Sequence, residues 1–159
     1  MTTTEVERAW LAGIIDGEGS IALFHNQEKN GSDKIKPVIN FVNTDLGIVN
    51  EAIKILKSLG CSVYIVKRNQ SKKNKNHKDV IEVKCTNIPN IKIWLEAIEP
   101  YLKGEKKHKA QILLRYVSRR SEKFTQGDYS YDEDDWSALK DIRSSQTTRE
   151  TPELNSQVW

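Results

Sequence analysis

Gly13 and Gly17 stand four residues apart on one face of a helical segment, and two acids, Asp16 and Glu18, bracket the second glycine where that segment ends. Glycine inside a helix costs roughly 1 kcal/mol against alanine, so a pair at this spacing calls for a compensating use. Two missing side chains on one strip of surface let a second helix approach until the backbones nearly touch. The acids add a further demand, because carboxylates at a helix C-terminus oppose its dipole at about 0.3–1 kcal/mol each. Carboxylates at the rim of a close helix contact suit a hard cation, and Mg²⁺ set against a phosphate polarises the phosphoryl group.

The segments around this stretch alternate between two periods. Thr4 and Glu7 have capping-box spacing, and Val6, Trp10 and Ile14 with Leu11 and Ile15 recur at helical intervals, which predicts a helix over residues 4–16 ended by Gly17 and Gly19. Residues 20–27 and 35–42 read as strands around the turn-forming Asn30-Gly31-Ser32-Asp33. Asn43-Thr44-Asp45 offers N-cap side chains to a helix whose apolar positions run from Ile48 to Leu59 and which Gly60 closes. A second strand pair, 62–69 and 79–86, is joined by a polar, basic tip. Helices over 88–101 and 106–120 follow, and Trp136, Leu139 and Ile142 suggest a short one beyond a polar stretch. The order αββαββα predicts an α+β fold, with one domain over 1–143 and a tail over 144–159. Trp10, Trp94 and Trp136 sit among apolar residues at helical spacing and are expected in the core.

Composition narrows the class. The 159 residues, 37% hydrophobic and 30% charged, suit one compact domain and exclude a large multidomain enzyme. No apolar run approaches the roughly 20 residues of a membrane span, and Met1-Thr-Thr-Thr-Glu5 lacks the basic start of a signal peptide, so a soluble, intracellular protein is expected. Cys61 and Cys85 lie far apart in the sequence without metal-ligand spacing, and His25, His77 and His108 share none, which argues against a disulfide framework or a zinc module. The net charge of +3 is uneven: basic residues crowd 67–84 and 103–123, acids crowd 128–135.

The nine residues from Leu11 to Gly19, LAGIIDGEG, resemble the signature of the LAGLIDADG homing endonucleases, matching at Leu11, Ala12, Gly13, Ile15, Asp16 and Gly19 with Ile14 and Glu18 as conservative replacements. The element order, the Asn43-Thr44-Asp45 cap and the run from Pro100 to Gln111 extend the likeness to members with one motif per chain. The resemblance implies a homodimer in which two motif helices pair through Leu11, Gly13, Ile14, Asp16 and Gly17, with a four-stranded antiparallel saddle sheet from each chain over double-stranded DNA. It implies that Glu18 and the Gly17 carbonyl bind Mg²⁺, with Mn²⁺ as a substitute and Ca²⁺ binding without supporting cleavage. It also implies that Lys106, with Lys107 as the fallback, organises water or stabilises phosphate charge, and that Thr44 or Asn43 orients a water or merely caps the helix. Members often carry Asp where Glu18 stands, so the carboxylate here reaches one methylene further.

A sheet that reads DNA keeps its apolar side inward and its polar side outward. On the first strand this turns Ser20, Ala22, Phe24 and Asn26 toward DNA, and on the last Lys84. Lys67 and Asn69 are expected to face it from the third strand, with Arg68 near the tip as a further DNA contact; Lys34, Lys36 and Asn40 belong to the second, whose alternation fixes no register. Lys72, Lys73 and Lys75 at the basic tip would contact phosphates. The expected activity is site-specific, metal-assisted DNA cleavage on a long, near-palindromic site. The alternative is an RNA maturase or a catalytically silent DNA-binding relative. No membrane or small-molecule substrate is expected, and the compartment would be the cytoplasm of a prokaryote or an organelle.

Overall fold

The computed structural model describes residues 2–69, 75–76 and 78–145. Helix α1 (Glu5–Glu18) opens on the expected capping box: the Thr4 hydroxyl accepts from the Glu7 N–H while the Glu7 carboxylate accepts from the Thr4 N–H. The helix outlasts the sequence expectation, running through Gly17 to Glu18, and strand β1 (Gly19–Gln27) follows with no loop between them. A Cβ at Gly19 would lie 2.7 Å from the Ile15 Cα, so only glycine lets the chain leave the helix this sharply.

Strand β2 (Asp33–Asn43) leads to α2 (Leu46–Ser58), whose N-cap is Asp45; its Oδ1 accepts from the N–H groups of Gly47 and Ile48. Strands β3 (Tyr64–Arg68) and β4 (Val80–Cys85) precede α3 (Ile88–Ile98), a single 3₁₀ turn over Glu99–Tyr101, α4 (Glu105–Thr125) and α5 (Glu133–Ser144). The four strands form one antiparallel sheet in the order β1-β2-β4-β3. Its inner face carries Ile21, Leu23, Ile39, Phe41, Val83 and Cys85 into a core completed by the helices, with Trp94 edge-on to Phe41. This is the α+β architecture that the alternation of periods predicts. No helix among the described residues is long and apolar enough to cross a membrane.

Pro37 interrupts the regular pairing. It has no N–H to donate, and β2 pairs with β4 only from Ile39 to Asn43. Upstream, the Ile35 N–H donates to the Tyr131 hydroxyl at 3.0 Å and the Ile35 carbonyl accepts from the Tyr116 hydroxyl at 3.3 Å, so two side chains replace a neighbouring strand.

One expectation about the core needs correction. Trp10 is not a core residue: it is 37% exposed and shares an open helix face with Val6, Gly13 and Gly17. Trp94 is buried and Trp136 partly so, packed edge-on to His25. Cys61 and Cys85, distant in sequence, meet as buried free thiols, and the hydrogen bond between them together with burial pushes the Cys61 thiol up.

Candidate active site and nucleic-acid interface

The register of α1 divides the motif into two faces. Leu11, Ala12 and Ile15 are buried in the chain's own core, whereas Val6, Trp10, Gly13 and Gly17 line the opposite side and stay exposed. A Cβ at Gly13 or Gly17 would meet nothing within 4 Å, so neither glycine is needed for packing inside this chain. Leu11, expected at a helix pairing surface, is instead corrected to the core, where it is fully buried with Ala12 and Ile15. Ile14 is partly buried and packs on the same core, at the border of the open face.

The two acids have different surroundings. Asp16 is half-buried and tied to its own chain: its Oδ2 accepts from the Lys103 N–H at 2.9 Å and its Oδ1 from the Gly104 N–H at 3.4 Å. Its backbone carbonyl accepts from Lys106 Nζ at 2.9 Å. Asp16 thus joins the end of α1 to the start of α4. Glu18, one step beyond Gly17, is exposed and accepts one hydrogen bond, from Asn43 Nδ2 at 2.5 Å. Of the two candidates before α2, Asn43 is the one that bonds Glu18, while its Oδ1 accepts from the Asp45 N–H. Thr44 is exposed and lines the same shallow cleft of about 330 Å³, with Glu18, Val42 and Val80.

Lys106 stands at this helix end with its ammonium partly withdrawn from water. Burial holds its pKa below the ordinary lysine value against the opposing pull of Asp16. Lys107 turns away, donating to the carbonyls of Glu99 and Pro100. Among the described residues no group of three or more His, Cys, Asp or Glu could hold a metal. The Glu18 carboxylate and the Gly17 carbonyl would offer hard oxygen donors of the kind Mg²⁺ takes, short of a full coordination sphere.

The open face of the sheet carries most of the residues expected there. Ser20, Asn40, Lys84 and Tyr64 form one cross-strand row; Ala22 pairs with Val38, Phe24 with Lys36, and Asn26 with Lys34. The ragged second strand is settled by this pairing: Lys34, Lys36 and Asn40 all lie on the open side. The third strand is corrected, since Lys67 pairs with Ile81 on the inner side and reaches Asp79 at 3.8 Å, and Asn69 lies past the strand end. Tyr64, Val66 and Arg68 take the open positions, so Arg68, expected only near the tip, stands on the open face itself. Lys75 lies in an exposed turn, while Lys72, Lys73, His77 and the tail from 146 onward lie outside the described residues.

Where Pro37 stops the β2–β4 ladder, a cleft of about 770 Å³ opens beside this face. Lys34, Lys36, Lys84 and Arg120 line it together with Phe24 and Tyr131. Arg120 escaped notice in the sequence because its surroundings come from a segment read as loop. Its guanidinium lies over the rings of Phe124 and Tyr131 and bonds the carbonyls of Tyr129 and Ser130. Asp135, fully buried at the start of α5, pairs with both Arg119 at 3.2 Å and Arg120 at 3.5 Å.

No curated protein matches the sequence. Among solved structures, homing endonuclease I-CvuI in complex with its target matches with TM-score 0.65 at 17% identity, over 92% of this chain and 85% of that one. I-CvuI on the I-CreI target matches with TM-score 0.60 at 21% identity, over 87% and 76%. The LAGLIDADG homing endonuclease I-GzeII in complex with its DNA target matches with TM-score 0.60 at 17% identity, over 89% of this chain but 44% of that one. At these identities the likeness is one of fold. The LAGLIDADG-like domain family matches residues 5–126, from the start of α1 to the end of α4, and the chain belongs to that family.

Proposed function

We propose that this chain is a site-specific double-strand DNA endonuclease that works as a homodimer on a long, near-palindromic site, by divalent-metal-assisted phosphodiester hydrolysis. The observation that carries this reading is the end of α1, where an exposed carboxylate with one hydrogen bond, Glu18, ends a helix face whose two glycines have nothing within 4 Å of a would-be Cβ. Pairing two such faces through Val6, Trp10, Gly13 and Gly17 would bring two copies of Glu18 toward the dimer axis and supply the oxygen donors that one copy lacks. The solved relatives bound to DNA support the substrate class.

Glu18 and the Gly17 carbonyl of each copy would hold Mg²⁺, with Mn²⁺ as a substitute. A cation bound there supplies Lewis-acid polarisation of the scissile phosphate. Asn43 holds the Glu18 carboxylate in one orientation, which compensates for the extra methylene of glutamate by restricting where it points. Lys106 contributes a positive charge at the same helix end. The open sheet face binds the duplex, with Lys34, Lys36 and Lys84 giving it cationic character.

The test is digestion of a randomised plasmid library by purified protein with and without Mg²⁺, in parallel with Glu18→Gln. Mg²⁺-dependent cutting at one sequence, lost in the variant, is expected. A variant that cuts as fast as the parent overturns the role of Glu18. Binding without cutting at any Mg²⁺ concentration overturns the nuclease reading in favour of a silent DNA-binding or RNA-splicing relative.

A further inference from the structure

In the middle of the open sheet face stands a carboxylate that phosphate binding does not explain. Glu82 of β4 lies between Val42 of β2 and Val66 of β3, on the same side as Lys84 and Asn40. Its side chain is only 4% exposed. A buried charge is costly without partners, and one facing a polyanion repels it as well. Glu82 has partners on both neighbouring strands. Its Oε1 accepts from Asn40 Nδ2 at 2.9 Å and its Oε2 accepts from Arg68 Nη2, so one carboxylate bridges three strands.

The partners are held without being used up. The Arg68 side chain is 59% exposed, so Glu82 grips one edge of the guanidinium and leaves the other N–H donors toward the open face. An arginine fixed in this way has lost its rotamer freedom before any ligand arrives, and its planar fork matches the O6 and N7 acceptors of guanine in the major groove. Asn40 keeps its carbonyl oxygen and the second hydrogen of Nδ2, the pair that adenine N6 and N7 require.

We propose that Glu82 is a positioning residue for sequence readout, which presets Arg68 to read a guanine and Asn40 to read a neighbouring base in each half of the target. The inference rests on the DNA-binding reading above and adds the residue and the base at which selectivity is set. Lysine contacts to phosphates position the duplex but carry no base identity, so discrimination at this point of the face falls to the Arg68–Glu82–Asn40 group.

The experiment selects duplexes from a randomised pool with the purified full chain in the absence of Mg²⁺, then measures binding of each single base-pair replacement by fluorescence anisotropy. One G·C pair in each half-site is expected to weaken binding roughly 5- to 150-fold when replaced. Arg68→Lys keeps the charge but not the fork, and is expected to erase the preference at that pair alone. Glu82→Gln keeps the shape, removes the charge, and is expected to lower the preference there by about tenfold while the dependence of affinity on salt is unchanged. Thermal melting confirms that each variant is folded. A folded Glu82→Gln or Arg68→Lys protein that keeps the parental preference at every position overturns the proposal. A parent that selects no sequence from the pool overturns the DNA-binding reading itself, and the inference with it.

Discussion

At the end of α1 the ionisable groups stand apart, whereas beyond α4 they are closed on one another. Glu18 is exposed with one neutral partner, and Lys106 leans on a backbone carbonyl and not on a carboxylate. In the C-terminal cluster Asp135 is fully buried and pairs with Arg119 and Arg120, while Lys123 reaches Asp132 at 3.1 Å and Asp128 and Asp135 at 3.8 Å. The first region belongs to the segment matched by the family, and the second includes α5, which lies past residue 126. Density of charge therefore does not mark chemistry in this molecule. On the reading proposed above, a carboxylate with spare coordination at the end of α1 does, while Asp135, closed on by two arginines, holds the fold together.

The contrast breaks or sharpens under substitution. Asp135→Ala leaves two arginines facing an uncompensated site, and is expected to cost about 3–5 kcal/mol in chemical denaturation while the folded fraction cleaves like the parent. Glu18→Gln is expected to do the reverse: cleavage falls about a hundredfold or more, with stability within about 0.5 kcal/mol of the parent. If Asp135→Ala lost activity without losing stability, the division of labour would be wrong. Asp16→Asn weakens the acceptor of the Lys103 and Gly104 N–H groups, and a loss of about 1 kcal/mol on thermal melting is expected.

Two smaller effects depend on pH. Burial favours the neutral form of Lys106, so its charge is lost as pH rises through a value below the ordinary 10.5, and the alkaline limb of the cleavage profile is expected below that value and displaced upward in Lys106→Arg. The hydrogen bond from Lys123 holds Asp132 below its ordinary 3.8, and Ser130 does the same for Asp128. Their contribution to stability is full above the ordinary carboxylate range and is lost as pH falls through the lowered values, so the melting curves of the parent and Asp132→Asn are expected to converge in strong acid.

Local chemistry was readable wherever one side of an element is buried. The Thr4–Glu7 box and the inward positions of β1 and β4 follow from spacing alone, because the core enforces the period. Edge strand β3 is exposed along its whole length and runs Tyr64-Ile-Val66 without alternation, so its parity was set by pairing with β4, which no local pattern encodes. The same limit applies to the acids between 128 and 135. As a sequence run they look like solvated surface, yet a buried arginine on the preceding helix draws Asp135 inside. Within the motif, Leu11 is buried in the chain's own interior while Gly13 and Gly17 face outward, since four-residue spacing cannot tell an outward stripe from the inward one beside it.

The vacant space over Gly13 and Gly17 has an evolutionary corollary. Alanine would fit both positions in a solitary chain and strengthen the helix by about 1 kcal/mol apiece. Laboratory evolution for heat tolerance of the single subunit should thus enrich alanine there and, on the assembly proposed above, breed a hardier protein that no longer associates.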